Sequence, residues 1–540
     1  MSANRDERGG VTRRDLLKTA AGALLAGAGA SIAPDVSAQV TGTMPGGGTV
    51  PLRMPECALD YLDQNQYISN MEIHAHVQPA SGGGEPWPMW ARGAQRILTG
   101  NRMLDVTDPK KPVLIDSNAG GTLAYATNLK KWILVRASQP GITAPTPQYP
   151  RGKYHKEYAD QVINREGLRG FQTFDATDIT TPVQLAEYAT DPTGGGCTGP
   201  FYDGSQYAYF PCAFDDSFMV QETSERIWTY ALLIMDLSDP AKPKEVSRWW
   251  VPGSRKGEEE EYKKYMFAND QSSSTFLKNY PIVPKRVEEG GNIMYGGWGH
   301  YGLIVQDLTD ITKPKVWSRL THPLEGMGGI PWHTCFPVLA DAAHPQLQGM
   351  MVAVPEALES DCREPWRTAY VVDIKDKTKP RIISLFPRPM PDPQAPYSDF
   401  CCARGRFMFH NPQTWVAPGA AKPNLMITAF QNAGVRVFDI SDPTDPKEVA
   451  YFVGTRAPGD INDWHSWRRS GCTSVFVEWD RNLIWALTHE GVYCLSCPAL
   501  GKPVLEPRRV ERWSVPHINV GWDDQTPQAV YFGRGLSQLG

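Results

Sequence analysis

One short phrase, Asp-x-[Ser/Thr/Lys]-Asp followed by x-x-x-Pro, recurs six times along this 540-residue chain. It reads LDVTDPKKP from Leu104, FDATDITTP from Phe174, MDLSDPAKP from Met235, QDLTDITKP from Gln306, VDIKDKTKP from Val372 and FDISDPTDP from Phe438. The leading aspartates, Asp105, Asp175, Asp236, Asp307, Asp373 and Asp439, are 61 to 71 residues apart. Repetition on that scale constrains the fold more than any local pattern, because a single unit cannot bury its own apolar face and must stack on its neighbours.

An apolar run enters each phrase (ALLIM, GLIVQ, AYVV, GVRVF) and another leaves it (PVQLAEY, PKEVSRWW, PRIISLF, PKEVAYF). Between them aspartate and threonine side chains bond nearby amides, and proline is excluded from a central strand, so the phrase is the turn of a hairpin. Glycine stands five residues before the leading aspartate at Gly100, Gly170, Gly302 and Gly434. The same offset from Gly491 reaches Ser496, with Pro503 where the proline belongs, which exposes a seventh copy that has lost its aspartate. Further strands precede the hairpins, as in NLMITAF from Asn424, LIWALTH from Leu483 and TSVFVEW from Thr473. Four strands in each of seven units predict an all-β, seven-bladed β-propeller of four-stranded antiparallel blades.

These residues resemble the LVIVD repeat of exported and cell-surface proteins of bacteria and archaea, over roughly residues 71 to 515. The resemblance implies a propeller and leaves the chemistry open, since propellers host unrelated functions. Around it the sequence places a signal peptide at 1–38, an N-terminal extension at 39–70 and a C-terminal extension at 516–540. The signal reading rests on Thr12-Arg13-Arg14-Asp15-Leu16-Leu17-Lys18, an apolar stretch from Thr19 to Ile32, and the small residues Val36-Ser37-Ala38. That is a twin-arginine pattern, and it predicts export through the twin-arginine translocase to the periplasm or beyond. No segment reaches the ~20 apolar residues of a membrane span. A net charge of -5 argues against nucleic acid as a partner.

Ten cysteines suit an oxidising compartment. By spacing, Cys197 with Cys212 and Cys494 with Cys497 are candidate pairs; Cys401-Cys402 can form a vicinal disulfide or ligate a soft metal, though adjacent cysteines more often pair elsewhere or stay buried.

With the short phrase turns at one end of every blade, chemistry is expected at the other. Seven of the eleven histidines fall there in register. His74 and His76 are placed at the start of the inner strand of blade one, His333 and His410 on the inner strands of blades five and six, and His465 at the entry to blade seven. His300 and His489 each lie seven residues before a motif position, on the turn between second and third strands. Imidazoles converging on a propeller axis point to a transition metal, iron, copper or zinc. Glu72, Glu356, Asp463 and Glu490 are the expected supporting or proton-transferring carboxylates. Trp298, Trp332, Trp464, Trp467 and Tyr301 crowd the same segments and are candidates to wall a pocket for an apolar substrate. The expectation is an exported metalloenzyme acting on a small apolar or aromatic molecule, with oxidation preferred over hydrolysis. The alternative is a non-catalytic binding or scaffold propeller.

Overall fold

The computed structural model describes residues 40–43, 49–52, 65–78, 88–100, 102–115, 120–138, 166–215, 217, 231–262, 281–321, 330–357, 362, 368–403, 405–413, 416–455, 471–488 and 490–514. The expected signal peptide lies outside them. Val40–Thr43 and Thr49–Leu52 form a two-stranded hairpin in a separate small unit, and the second unit is a seven-bladed propeller.

Blades one, two, three and five are contiguous four-stranded sheets, at residues 89–115, 122–189, 196–250 and 330–385. In blade four the innermost strand is reduced to a bridge between Ile282 and Tyr295, and in blade six to a bridge between Pro412 and Thr428. Interior strands are buried on both faces, as in Met350–Glu356, whereas the outer strand Lys315–Leu320 alternates exposed and half-buried residues. This explains why the sequence reads as continuous apolar runs before the turns and as alternation after them. Each fully buried Leu or Ile in the interior rows, such as Leu233 or Ile484, contributes about 1.5–3 kcal/mol by leaving water.

The repeated phrase has one job. The leading carboxylate accepts the amide two residues on, as from Thr177 to Asp175 at 3.0 Å and from Ser441 to Asp439 at 2.8 Å. The second carboxylate does the same, as from Thr312 to Asp310 at 3.0 Å and from Thr444 to Asp442 at 2.9 Å. These aspartates are spent on turn geometry, so they are not free to act as ligands.

Ring closure corrects one expectation. Glu72–Val77 is the outermost strand of blade seven, from Ser496 opposite Glu72 to Val492 opposite Val77, and not the inner strand of blade one. Blade one starts instead at Met89–Arg92. A β-bulge immediately before the motif position, at Thr173/Phe174, Ile234/Met235 and Val437/Phe438, recurs at Cys494/Leu495 against this N-terminal strand. A Cβ on Gly434 would lie 2.0 Å from the Phe452 carbonyl oxygen, and one on Gly491 would lie 2.1 Å from that of Val77. The N-terminal segment therefore occupies the fourth-strand position of blade seven in every local detail. Just upstream, Tyr67–Ser69 pairs with Tyr451–Val453 and adds a further strand to blade six, so part of the expected extension belongs to the propeller.

Candidate metal centre

Three fully buried side chains meet where blades five and six adjoin. His333 comes from the inner strand Ile330–Pro337, Glu356 from the end of the next strand, Met350–Glu356, and His410 from the segment that bridges into Leu425–Ala429. One ligand atom from each lies within 4.8 Å of the others. His333 Nε2 is 3.0 Å from Glu356 Oε2, and His410 Nε2 is 3.4 Å from Glu356 Oε1. Two ligands held at ~2.1 Å from one ion are separated by about 3.0–3.4 Å in octahedral or tetrahedral geometry. The two rings lie 5.3 Å apart with planes 26° from parallel.

The far side of each ring is fixed. His410 Nδ1 lies 2.7 Å from the carbonyl oxygen of Thr473, on the inner strand of blade seven. A carbonyl only accepts, so the Nδ1 proton belongs there and Nε2 is turned toward Glu356. His333 Nδ1 lies 3.0 Å from Thr334 Oγ1. Such contacts set the tautomer and orientation of a ligating imidazole. Arg406 Nη1 approaches Glu356 Oε1 at 3.4 Å. Arg406 belongs to the segment 400–407, which is tied to the turn after Leu425–Ala429 by the Asn432 amide on the Arg406 carbonyl and the Asn432 side chain on that of Phe400.

Of the expected ligands, His333 and His410 are brought together, and Glu356 joins them at ligand distance. His74 and His76 stand three strands out from the channel. His74 Nε2 is 2.7 Å from Ser496 Oγ, at the motif end of blade seven, with the exposed Glu72 carboxylate 3.9 Å from its Nδ1. His76 stacks on Tyr493 at 3.8 Å and sits 3.2 Å from the Glu490 carbonyl oxygen; burial pushes its pKa down against that hydrogen bond. Burial raises the carboxyl of Glu490. The MEIHAHV strand was misassigned because its distance to the first motif imitates an inner strand, whereas it completes the last blade. His465, Asp463 and His489 lie outside the described residues, as do Trp464 and Trp467. The backbone of His300 lies in the short 3-10 turn Gly299–Tyr301, against the strand carrying His333.

Trp298 and Trp332 are fully buried core. Of the two readings of Cys401-Cys402, pairing elsewhere holds, since Cys401 is bonded to Cys362 and no vicinal bridge forms. Cys197 and Cys212 are opposed thiols with Sγ atoms 3.4 Å apart, and Cys494 and Cys497 are free and buried. The sequence reading missed Arg406, Thr334 and the Thr473 carbonyl. Only Thr334, adjacent to His333, carried any local signal.

Beside the triad lies a cavity of about 190 Å³, which none of the three triad side chains lines. Thr334 and Asn411, each the residue after a triad histidine, form its upper wall, while Leu339, Ile440 and Ser514 line it toward the motif end.

The LVIVD repeat model matches residues 228–250 and 424–452, so the chain carries LVIVD repeats in blades three and six. No curated protein matches the chain. Solved structures of similar fold include the WD40 repeats of RRP9, at 7% identity and a TM-score of 0.38 over 80% of this chain and 99% of that one. Another is the computationally designed Ika8 protein, at 10% identity and a TM-score of 0.33 over 76% of this chain and 83% of that one. Among the described residues no helix is long and apolar enough to cross a membrane.

Proposed function

We propose that this LVIVD-repeat propeller is an exported metalloprotein in which His333, Glu356 and His410 hold one transition metal ion. The observation that carries the reading is the convergence of two imidazole Nε2 atoms and one carboxylate within 4.8 Å at a fully buried site, with His410 oriented by a carbonyl behind it. Two imidazoles and a carboxylate with coordination positions left over suit non-haem iron and also catalytic zinc, and imidazole suits copper. We favour oxidation of a small apolar or aromatic molecule. The cavity beside the site is walled mainly by aliphatic and aromatic residues, which suits such a molecule. Export rests on the twin-arginine pattern at the N-terminus.

Elemental analysis of protein exported with its own N-terminal segment tests this, beside a His333→Ala/His410→Ala double variant. Stoichiometric iron or copper in the wild type and its loss in the variant are expected. No stoichiometric metal would overturn the metal reading, and zinc alone would overturn the oxidation chemistry. A second reading, a non-catalytic binding propeller, is favoured by one contact: Arg406 at 3.4 Å from Glu356 supplies a positive charge without any metal.

A further inference from the structure

The cavity beside the triad has an internal logic of its own. Its two charged wall residues are both committed elsewhere. Asp203 Oδ2 takes the Arg286 guanidinium at 3.2 Å, and its Oδ1 accepts the Ser205 amide at 3.0 Å. Lys422 Nζ is hydrogen-bonded to Asn482 Oδ1 at 3.2 Å and to the Leu500 carbonyl, and burial lowers its pKa. The neutral polar groups are turned the same way. Thr122 Oγ1 donates to the Pro200 carbonyl at 3.0 Å. Gln413 closes on its own blade, accepting the Ile427 amide at 2.8 Å and donating to the Leu425 carbonyl at 3.2 Å. Ser514 Oγ accepts the Ala417 amide at 3.0 Å. Tyr202 is the exception, with a buried hydroxyl that meets no hydrogen-bond partner and carries no charge.

What remains facing the space is aliphatic and aromatic, including Leu123, Phe201, Phe336, Val338, Leu339 and Val416. An ion entering it would surrender its hydration and find no free counter-charge, a penalty of several kcal/mol. An uncharged apolar molecule meets no such penalty. Size narrows the class further. A cavity of ~150 Å³ takes benzene, and this one is about 190 Å³.

We propose that this cavity is a binding chamber for one uncharged hydrophobic molecule of single-ring size, held next to the triad across a shared wall. The upper wall supports that placement. Thr334 and Asn411 line the chamber while Thr334 touches His333 and the Asn411 amide donates to the Thr473 carbonyl that also holds His410, at 3.4 Å. This deepens the reading of the triad and rests on it for the chemistry, but binding to the chamber requires no metal.

The test is fluorine NMR of fluorobenzene and of 4-fluorobenzoate with the full chain, as purified and after chelation. Fluorobenzene should bind in both states, at least tenfold more tightly than 4-fluorobenzoate. Leu339→Trp, which fills the chamber from a half-buried wall position, should weaken fluorobenzene at least tenfold and leave metal content unchanged. Val416→Trp serves as an independent filling variant should the first fail to fold. His410→Ala should lose metal and keep fluorobenzene affinity within about twofold. Equal affinity for the two probes, or undiminished binding in a folded filling variant, would overturn the chamber. Loss of metal reading with retained fluorobenzene binding would overturn only the proposed function.

Discussion

Among the described residues, Glu478 and Glu356 are completely buried carboxylates whose surroundings differ in kind. Glu478, at the motif end of the inner strand of blade seven, is saturated: Arg481 binds both its oxygens at 2.5 and 2.8 Å, Trp485 Nε1 donates at 2.6 Å, and Arg96 of blade one reaches the same group. Burial alone would raise its pKa, but the two guanidiniums outweigh burial and hold the carboxyl below the ordinary range. Arg96 also grips Asp480 at 2.7 Å, and Arg481 reaches back to the Val106 carbonyl at 2.8 Å, so the cluster staples the last blade to the first. Glu356 faces two imidazole nitrogens and one guanidinium at 3.4 Å. A buried carboxylate tied to two arginines is complete as it stands. One that faces two imidazoles offers, together with them, a donor set for a cation.

The comparison can be broken in four places, in order of expected effect. Glu478→Gln leaves the buried Arg481 guanidinium without its counter-charge. It should lower unfolding free energy by about 3–5 kcal/mol in denaturant titration without changing the metal stoichiometry of the folded fraction. Glu356→Gln should do the reverse. Metal should fall below stoichiometric levels by elemental analysis while the metal-free protein melts close to the metal-free wild type. Restoring metal at 100 times its dissociation constant should stabilise the wild type by about 2.7 kcal/mol and the variant hardly at all. A smaller change is expected for Thr334→Val, which removes the hydroxyl behind His333 and should weaken metal binding about 10–100-fold in a competition titration.

The smallest effect belongs to the motif turns. Asp178, Asp310, Asp376 and Asp442 are held below the usual carboxylate range, first by the threonine hydroxyl two residues on and then by its amide. A folded pKa below the unfolded value of about 3.9 means that this support is complete above roughly pH 5 and is lost as pH falls through the folded pKa. Thr312→Ala should therefore lower the melting temperature slightly at pH 7, and the gap should narrow as pH falls below about 4.

The motif made the fold legible because its chemistry is local. Asp175, Thr177 and their equivalents specify a turn wherever they occur, and a constant offset from glycine revealed blade seven behind Ser496. His333 and His410 were legible by the same ruler, as residues at one level of neighbouring inner strands. Pairing between distant segments left no such mark. The ruler gave His74 an inner-strand position because the offset is blind to which blade a strand joins. The true signal was an absence, since after Ser496 the chain runs through GKPVLEPRR without a strand to complete its blade. Glu356 was legible as a carboxylate near the histidines, though not at ligand distance, because that depends on where a second strand ends. The Glu478 cluster joins residues as far apart as 384 positions and has no local signature at all.

The strand Glu72–Val77 also sets a timetable. His74 and Ser496, which touch in the finished ring, are 422 residues apart in the chain. Most blades assemble from contiguous sequence and can form as the chain lengthens. Blade seven must wait for its last residues and then recapture a strand made at the outset, a contact order that favours slow completion. Thr473, whose carbonyl orients His410, lies in that late blade. Metal loading should therefore trail the folding of blades one to six and coincide with the closing of the circle.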